Sequence, residues 1–105
     1  MQRDTIQYCG RYEYRDAAAL ELALGQAREA LDDDETGETH GWLRVFVCRG
    51  NRLMVNVSAP ASAEHRFAAA NLFLVLAQGA VDGSVEAIHH ARAIDRYVAG
   101  LDHED

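Results

Sequence analysis

The stretch from Trp42 to Ser58, WLRVFVCRGNRLMVNVS, does most to constrain what this chain can fold into. Leu43, Val45 and Val47 alternate with Trp42, Arg44, Phe46 and Cys48. Leu53, Val55 and Val57 alternate with Arg52, Met54, Asn56 and Ser58. That is the period of a β-strand, so the pattern predicts a β-hairpin around Arg49-Gly50-Asn51. A Gly50-Asn51 turn would pair Arg49 with Arg52 and leave both faces mixed. A loop of all three residues pairs Cys48 with Arg52 and gives one aliphatic face, which a slip of one residue would destroy. Such loops need a single left-handed residue, and Gly50 or Asn51 supplies it. The longer loop is therefore expected. It places Trp42, Arg44, Phe46, Met54 and Asn56 together on the second face.

The remaining segments read more simply. Ile6, Tyr8, Tyr12 and Tyr14 alternate along a strand from Thr5 to Tyr14, with Gly10 on the apolar side as a bulge or close approach. Asp16 caps a helix with an apolar stripe of Leu20, Leu24, Ala27 and Leu31. Residues 32–41 form an acidic loop. Ser62, or Ser58 with Pro60 as an alternative start, caps a second helix that stops at Gly79. From Phe67 onward this helix is apolar on most sides, with Glu64, Asn71 and Gln78 as its polar stripe. Such a helix is buried on a broad front or partly covered by another chain. Residues 84–98 fit a helix or strands; a strand over Val85 to His89 is expected, because it gives both helices a sheet to cover. A helix or a returning hairpin is the alternative. Residues 100–105 read as a disordered tail.

This order, β-α-β-β-α-β, resembles the ferredoxin-like split βαβ arrangement across the whole chain. The resemblance implies a single α+β domain, a two-layer sandwich with both helices on one face of an antiparallel sheet. Many unrelated functions use that fold, so it assigns none.

Composition narrows the partners. The 105 residues make one domain, and the net charge of −7 argues against nucleic acid, which needs a basic footprint. It also disfavours an anionic membrane surface. All ten basic residues are arginine, which points to a GC-rich genome. No apolar run is long enough to span a membrane, the first residues show no signal-peptide core, and two cysteines make no disulfide framework. A cytoplasmic protein is expected.

The candidate chemistries are thin. Asp32, Asp34, Thr36 and Gly37 imitate part of a calcium loop, but Leu43 stands where its bidentate Glu belongs. His89 and His90, with His65 or His40, lack metal-ligand spacing, since neighbours on a strand point to opposite faces. No metal and no cofactor are expected. Cys9 and Cys48 should be separated by the third strand and remain free thiols. No nucleophile is assembled with a base, so a non-catalytic interaction module is expected. It would self-associate as a homodimer, or join an assembly, through Trp42, Arg44, Phe46, Met54 and Asn56, of which the Trp, Arg, Phe and Met are residue types that enrich interface cores. The alternative is a ligand-binding domain or cofactor-independent enzyme of the dimeric α+β barrel kind. Its pocket would be lined by Tyr8, Trp42, Asn56 and His89, with His89 as the base.

Overall fold

A computed structural model describes residues 4–30 and 38–99. Residues 31–37, which hold most of the acidic loop expected over 32–41 and its calcium-like motif, and the tail over residues 100–105 lie outside the described residues; residues 38–41, the rest of that expected loop, are helical instead. The elements are β1 (Thr5–Glu13), α1 (Ala17–Ala30), α2 (Glu38–Val45), β2 (Val47–Arg49), β3 (Arg52–Pro60), α3 (Ala63–Gln78), β4 (Asp82–His89) and β5 (Arg92–Val98). The fold is mixed α+β, with one five-stranded antiparallel sheet in the order β2-β3-β1-β4-β5. The expected order of four strands and two helices is not matched, because α2 and β5 are added.

Strand alternation decides the two faces of the sheet. Along β3, Leu53, Val55, Val57 and Ala59 are buried while Arg52, Met54, Asn56 and Ser58 are exposed. Ile6, Tyr8 and Tyr12 of β1 and Val85 and Ala87 of β4 join the buried side. There they meet Leu20, Ala23 and Ala27 of α1 and Ala69, Leu72, Phe73 and Leu76 of α3. One face of the sheet is thus buried against α1 and α3, and the alternating residues of β3 on the other are exposed.

Local signals explain the helix starts. The Ala19 N–H donates to the Asp16 carboxylate at 2.8 Å, which caps α1. The His65 N–H donates to Ser62 Oγ at 3.3 Å, which caps α3. The sheet in turn caps the far end of α3. The Tyr14 hydroxyl donates to the Leu76 carbonyl at 2.8 Å, one of the last-turn carbonyls a helix leaves without a partner. Tyr12 donates likewise to the Tyr97 carbonyl of β5 at 2.8 Å. Gly10 faces β4 so closely that a Cβ there would run into the Ser84 carbonyl oxygen, so the close-approach reading holds.

The hairpin expected over Trp42 to Ser58 is corrected in two ways. Its first half is mostly helix: Glu38–Val45 is α2, and only Val47–Arg49 pairs with β3. Trp42 and Phe46 stand four residues apart, so a helix puts them on one side as well as a strand would. They are 7% and 8% exposed, inside the core rather than on an open face. The register is also the shorter one, with Arg49 opposite Arg52. Gly50 takes φ 59°, the first-position glycine of a two-residue turn. Asn51 is then held by β1: its side chain donates to the Tyr14 carbonyl at 2.6 Å, and the Tyr14 N–H donates to its carbonyl at 2.8 Å. The mixed faces that argued against this register cost little, because β2 is only three residues long and wholly exposed. Leu53, Val55 and Val57 are buried as expected, but Val45 and Val47 are exposed.

At the other end, residues 84–98 take the hairpin alternative. β4 starts at Asp82, three residues before the strand expected over Val85 to His89. The reversal comes at His90-Ala91, both with positive φ, 52° and 63°.

Candidate functional site

The turn between β4 and β5 carries the one convergence of metal-ligating side chains among the described residues: Asp4, His89 and His90. Asp4 immediately precedes β1, and its carbonyl accepts the Ala61 N–H at 2.9 Å just past the end of β3. His89 closes β4 beside that start. On a regular strand His90 would point away from His89. The left-handed backbone at His90 turns its ring back instead, and the two imidazole centroids lie 4.1 Å apart. Asp4 Oδ1 reaches both rings, at 2.8 Å from His89 Nε2 and 3.3 Å from His90 Nε2. The hydrogen bond from His89, more than the two nearby imidazole charges, holds the Asp4 carboxyl below its ordinary value. His89 is half-buried, whereas Asp4 and His90 are open to solvent.

The residues singled out from sequence fall in three separate places. Trp42, Phe46 and Tyr8 are core. Their rings gather on Phe73 of α3, with Tyr8 at 5.4 Å and Phe46 at 6.2 Å from it, and Trp42 lies 6.4 Å from Tyr8. Burial, with nearby Tyr97 a smaller cause, pushes the Tyr8 hydroxyl up to about 12. Met54 and Asn56 are exposed on the opposite face of the sheet, where Asn56 accepts a hydrogen bond from the Gln7 side chain at 2.9 Å. Arg44 belongs to α2 by its backbone, and its side chain lies outside the described part. The partner face does not therefore assemble as a single surface. Nor do Tyr8, Trp42, Asn56 and His89 line a common pocket, because Asn56 is across the sheet from Tyr8 and His89 sits at the strand tip. β3 runs between the strands that carry Cys9 and Cys48, and both are free thiols.

Sequence reasoning missed Asp4. It lies 85 residues from His89, and only the β1–β4 pairing joins them. The signal that did exist was the adjacent histidines at the end of an alternating segment, where a turn was needed.

A scan of protein-family models finds no match to this chain, and no curated protein or solved structure matches it significantly. Among the described residues, no helix is long and apolar enough to cross a membrane.

Proposed function

We propose that this protein is a non-catalytic interaction module that pairs with a second copy of itself through the outward side of α3. The observation that carries this reading is Phe67, 77% exposed, standing one heptad before Leu74, 54% exposed. Asn71 lies between them and Gln78 follows, both exposed, so the four side chains repeat at four- and three-residue steps. Apolar residues at that spacing form the seam along which two helices pack. A lone Asn in such a seam fixes register and the number of strands. Burying each large apolar side chain recovers roughly 1.5–3 kcal/mol. The surface expected at Trp42, Phe46 and Met54 moves accordingly, since the first two are already used inside the core.

The sheet edges favour a helix-mediated contact over strand pairing. β2 is short, and β5 presents Arg92, Asp95 and Arg96, charges that blunt an edge. We read the fold itself as an elaborated ferredoxin-like sandwich, in which α2 precedes the central hairpin and β5 extends the sheet beyond β4.

Light scattering after size exclusion tests the proposal, on wild type and on the Phe67→Ser/Leu74→Ser double variant. The expected result is a wild-type dimer and a monomeric variant with unchanged far-UV circular dichroism. A wild type that stays monomeric into the hundreds of micromolar, or a variant that stays dimeric, would reject it.

A further inference from the structure

We propose that Asp4, His89 and His90 bind a divalent transition-metal ion of the zinc class. This rests on the β4–β5 turn and the start of β1 beside it, and is independent of the α3 surface. One ligand atom from each of the three residues lies within 4.8 Å of the others, and Asp4 Oδ1 stands near the Nε2 atoms of both histidines. Zinc bonds of about 2.0–2.1 Å place neighbouring tetrahedral ligands about 3.3 Å apart. Of the two distances from Oδ1, the 3.3 Å to His90 matches that spacing and the 2.8 Å to His89 is shorter, so the ion would push Asp4 and His89 slightly apart. Small rotations of exposed side chains complete the geometry, and His90 is free to make them.

The donor set selects the ion. Two imidazoles and one carboxylate suit zinc, copper or nickel, whereas calcium and magnesium require oxygen ligands. Each imidazole binds through an Nε2 lone pair, so its remaining proton sits on Nδ1. A second proton on either ring, and the proton now shared with Asp4, move to Nδ1 or leave to solvent. The backbone supports the site from two sides. The Ala61 N–H anchors Asp4, and the His90-Ala91 turn sets the rings beside one another. Non-glycine residues rarely occupy the left-handed region, and two in succession form the tight reversal that makes adjacent histidines converge.

Isothermal titration of chelator-treated, tag-free protein with Zn²⁺ near neutral pH tests this, using His89→Gln, His90→Asn and Asp4→Asn. Asn tolerates the left-handed backbone, so His90→Asn keeps the turn while removing an imidazole. One Zn²⁺ per chain is expected in wild type. Each variant should bind at least about 10-fold more weakly, the loss that even an outer partner of a metal ligand produces. Ca²⁺ should give no such binding, and association should weaken under mildly acidic conditions as protons compete for imidazole. Absence of zinc binding up to millimolar concentration would overturn the proposal. So would one-site binding unchanged in the His89→Gln and His90→Asn variants, since that would place the ion elsewhere in the chain.

Discussion

At the scale of single residues, the β4–β5 turn stores the most unusual backbone. Ala91 holds φ 63° with no polar side chain to offset the left-handed cost of about 1–2 kcal/mol. Ala91→Gly should stabilise the protein by about 0.5–1 kcal/mol in urea unfolding, once the greater freedom of glycine in the unfolded chain is subtracted. A neutral or destabilising result would mean that the turn is not held in this conformation. Next to it, Asp4 provides a sensitive reporter. Its carboxyl is held down first by the hydrogen bond from His89, so its contribution to stability is present above the ordinary aspartate value of about 3.9 and lost as pH falls through the lower folded value. Carbon-detected NMR titration should find the Asp4 carboxyl below the ordinary range, and His89→Gln should return it upward. Little of this was legible from sequence. Type I′ turns announce themselves by Asn-Gly or Asp-Gly, and His-Ala carries no such signal. Gly10 was legible, because a glycine on the buried side of an otherwise tyrosine-rich strand has few other uses.

At the scale of elements, α2 is the instructive case. Five residues from Trp42 to Phe46 satisfy a strand period and a helix period equally, and a short run offers too few repeats to separate them. What decides is the tertiary setting. With α2 formed, Trp42 packs against Tyr8, and Phe46, just past the helix end, packs against Phe73, whereas a strand would have left both rings on the open face of the sheet. Trp42→Ala and Phe46→Ala should therefore each cost about 3–5 kcal/mol of stability. Their effect should appear as a lower urea midpoint, not as dissociation of an intact fold. By contrast, α1 and α3 were read correctly, since each is several turns long and opens on a capping Asp16 or Ser62. The link between β1 and α3 is equally specific. Tyr14→Phe keeps the ring but leaves the Leu76 carbonyl buried without its donor, at a cost of about 1–3 kcal/mol. Unfolding by urea checks this, and an unperturbed midpoint would show that water replaces the hydroxyl.

At the scale of the whole molecule, Tyr8 and Tyr12 on the buried side of β1 and Tyr14 just past its end tie the sheet to α3 and β5 and also set an alkaline limit to the fold. Tyr8, Tyr12 and Tyr14 are at most 1% exposed, and burial is the leading cause that pushes each hydroxyl upward, Tyr8 to about 12 and the other two further. In the unfolded chain they ionise near the ordinary value of about 10. A folded value raised above the unfolded one means that the contribution is complete below about pH 10. It is lost as pH rises through the folded values, by up to about 1.4 kcal/mol per pH unit for each tyrosine. The charged forms have no place in the core, because the hydroxyls of Tyr12 and Tyr14 donate to carbonyl oxygens and a phenolate would face those oxygens with no proton between them. Ionisation of these residues should therefore coincide with unfolding between about pH 10 and 12. Tyrosinate absorbance and far-UV circular dichroism, followed together through that range, should change in one transition, and half-buried Tyr97, whose hydroxyl burial also raises, should share in it. Three tyrosinates appearing while the circular dichroism stays native would show that β1 is not the centre of the core. The row of tyrosines would then lie at a surface, and the α3 seam would lose the rigid support that positions Phe67 and Leu74 for a second copy.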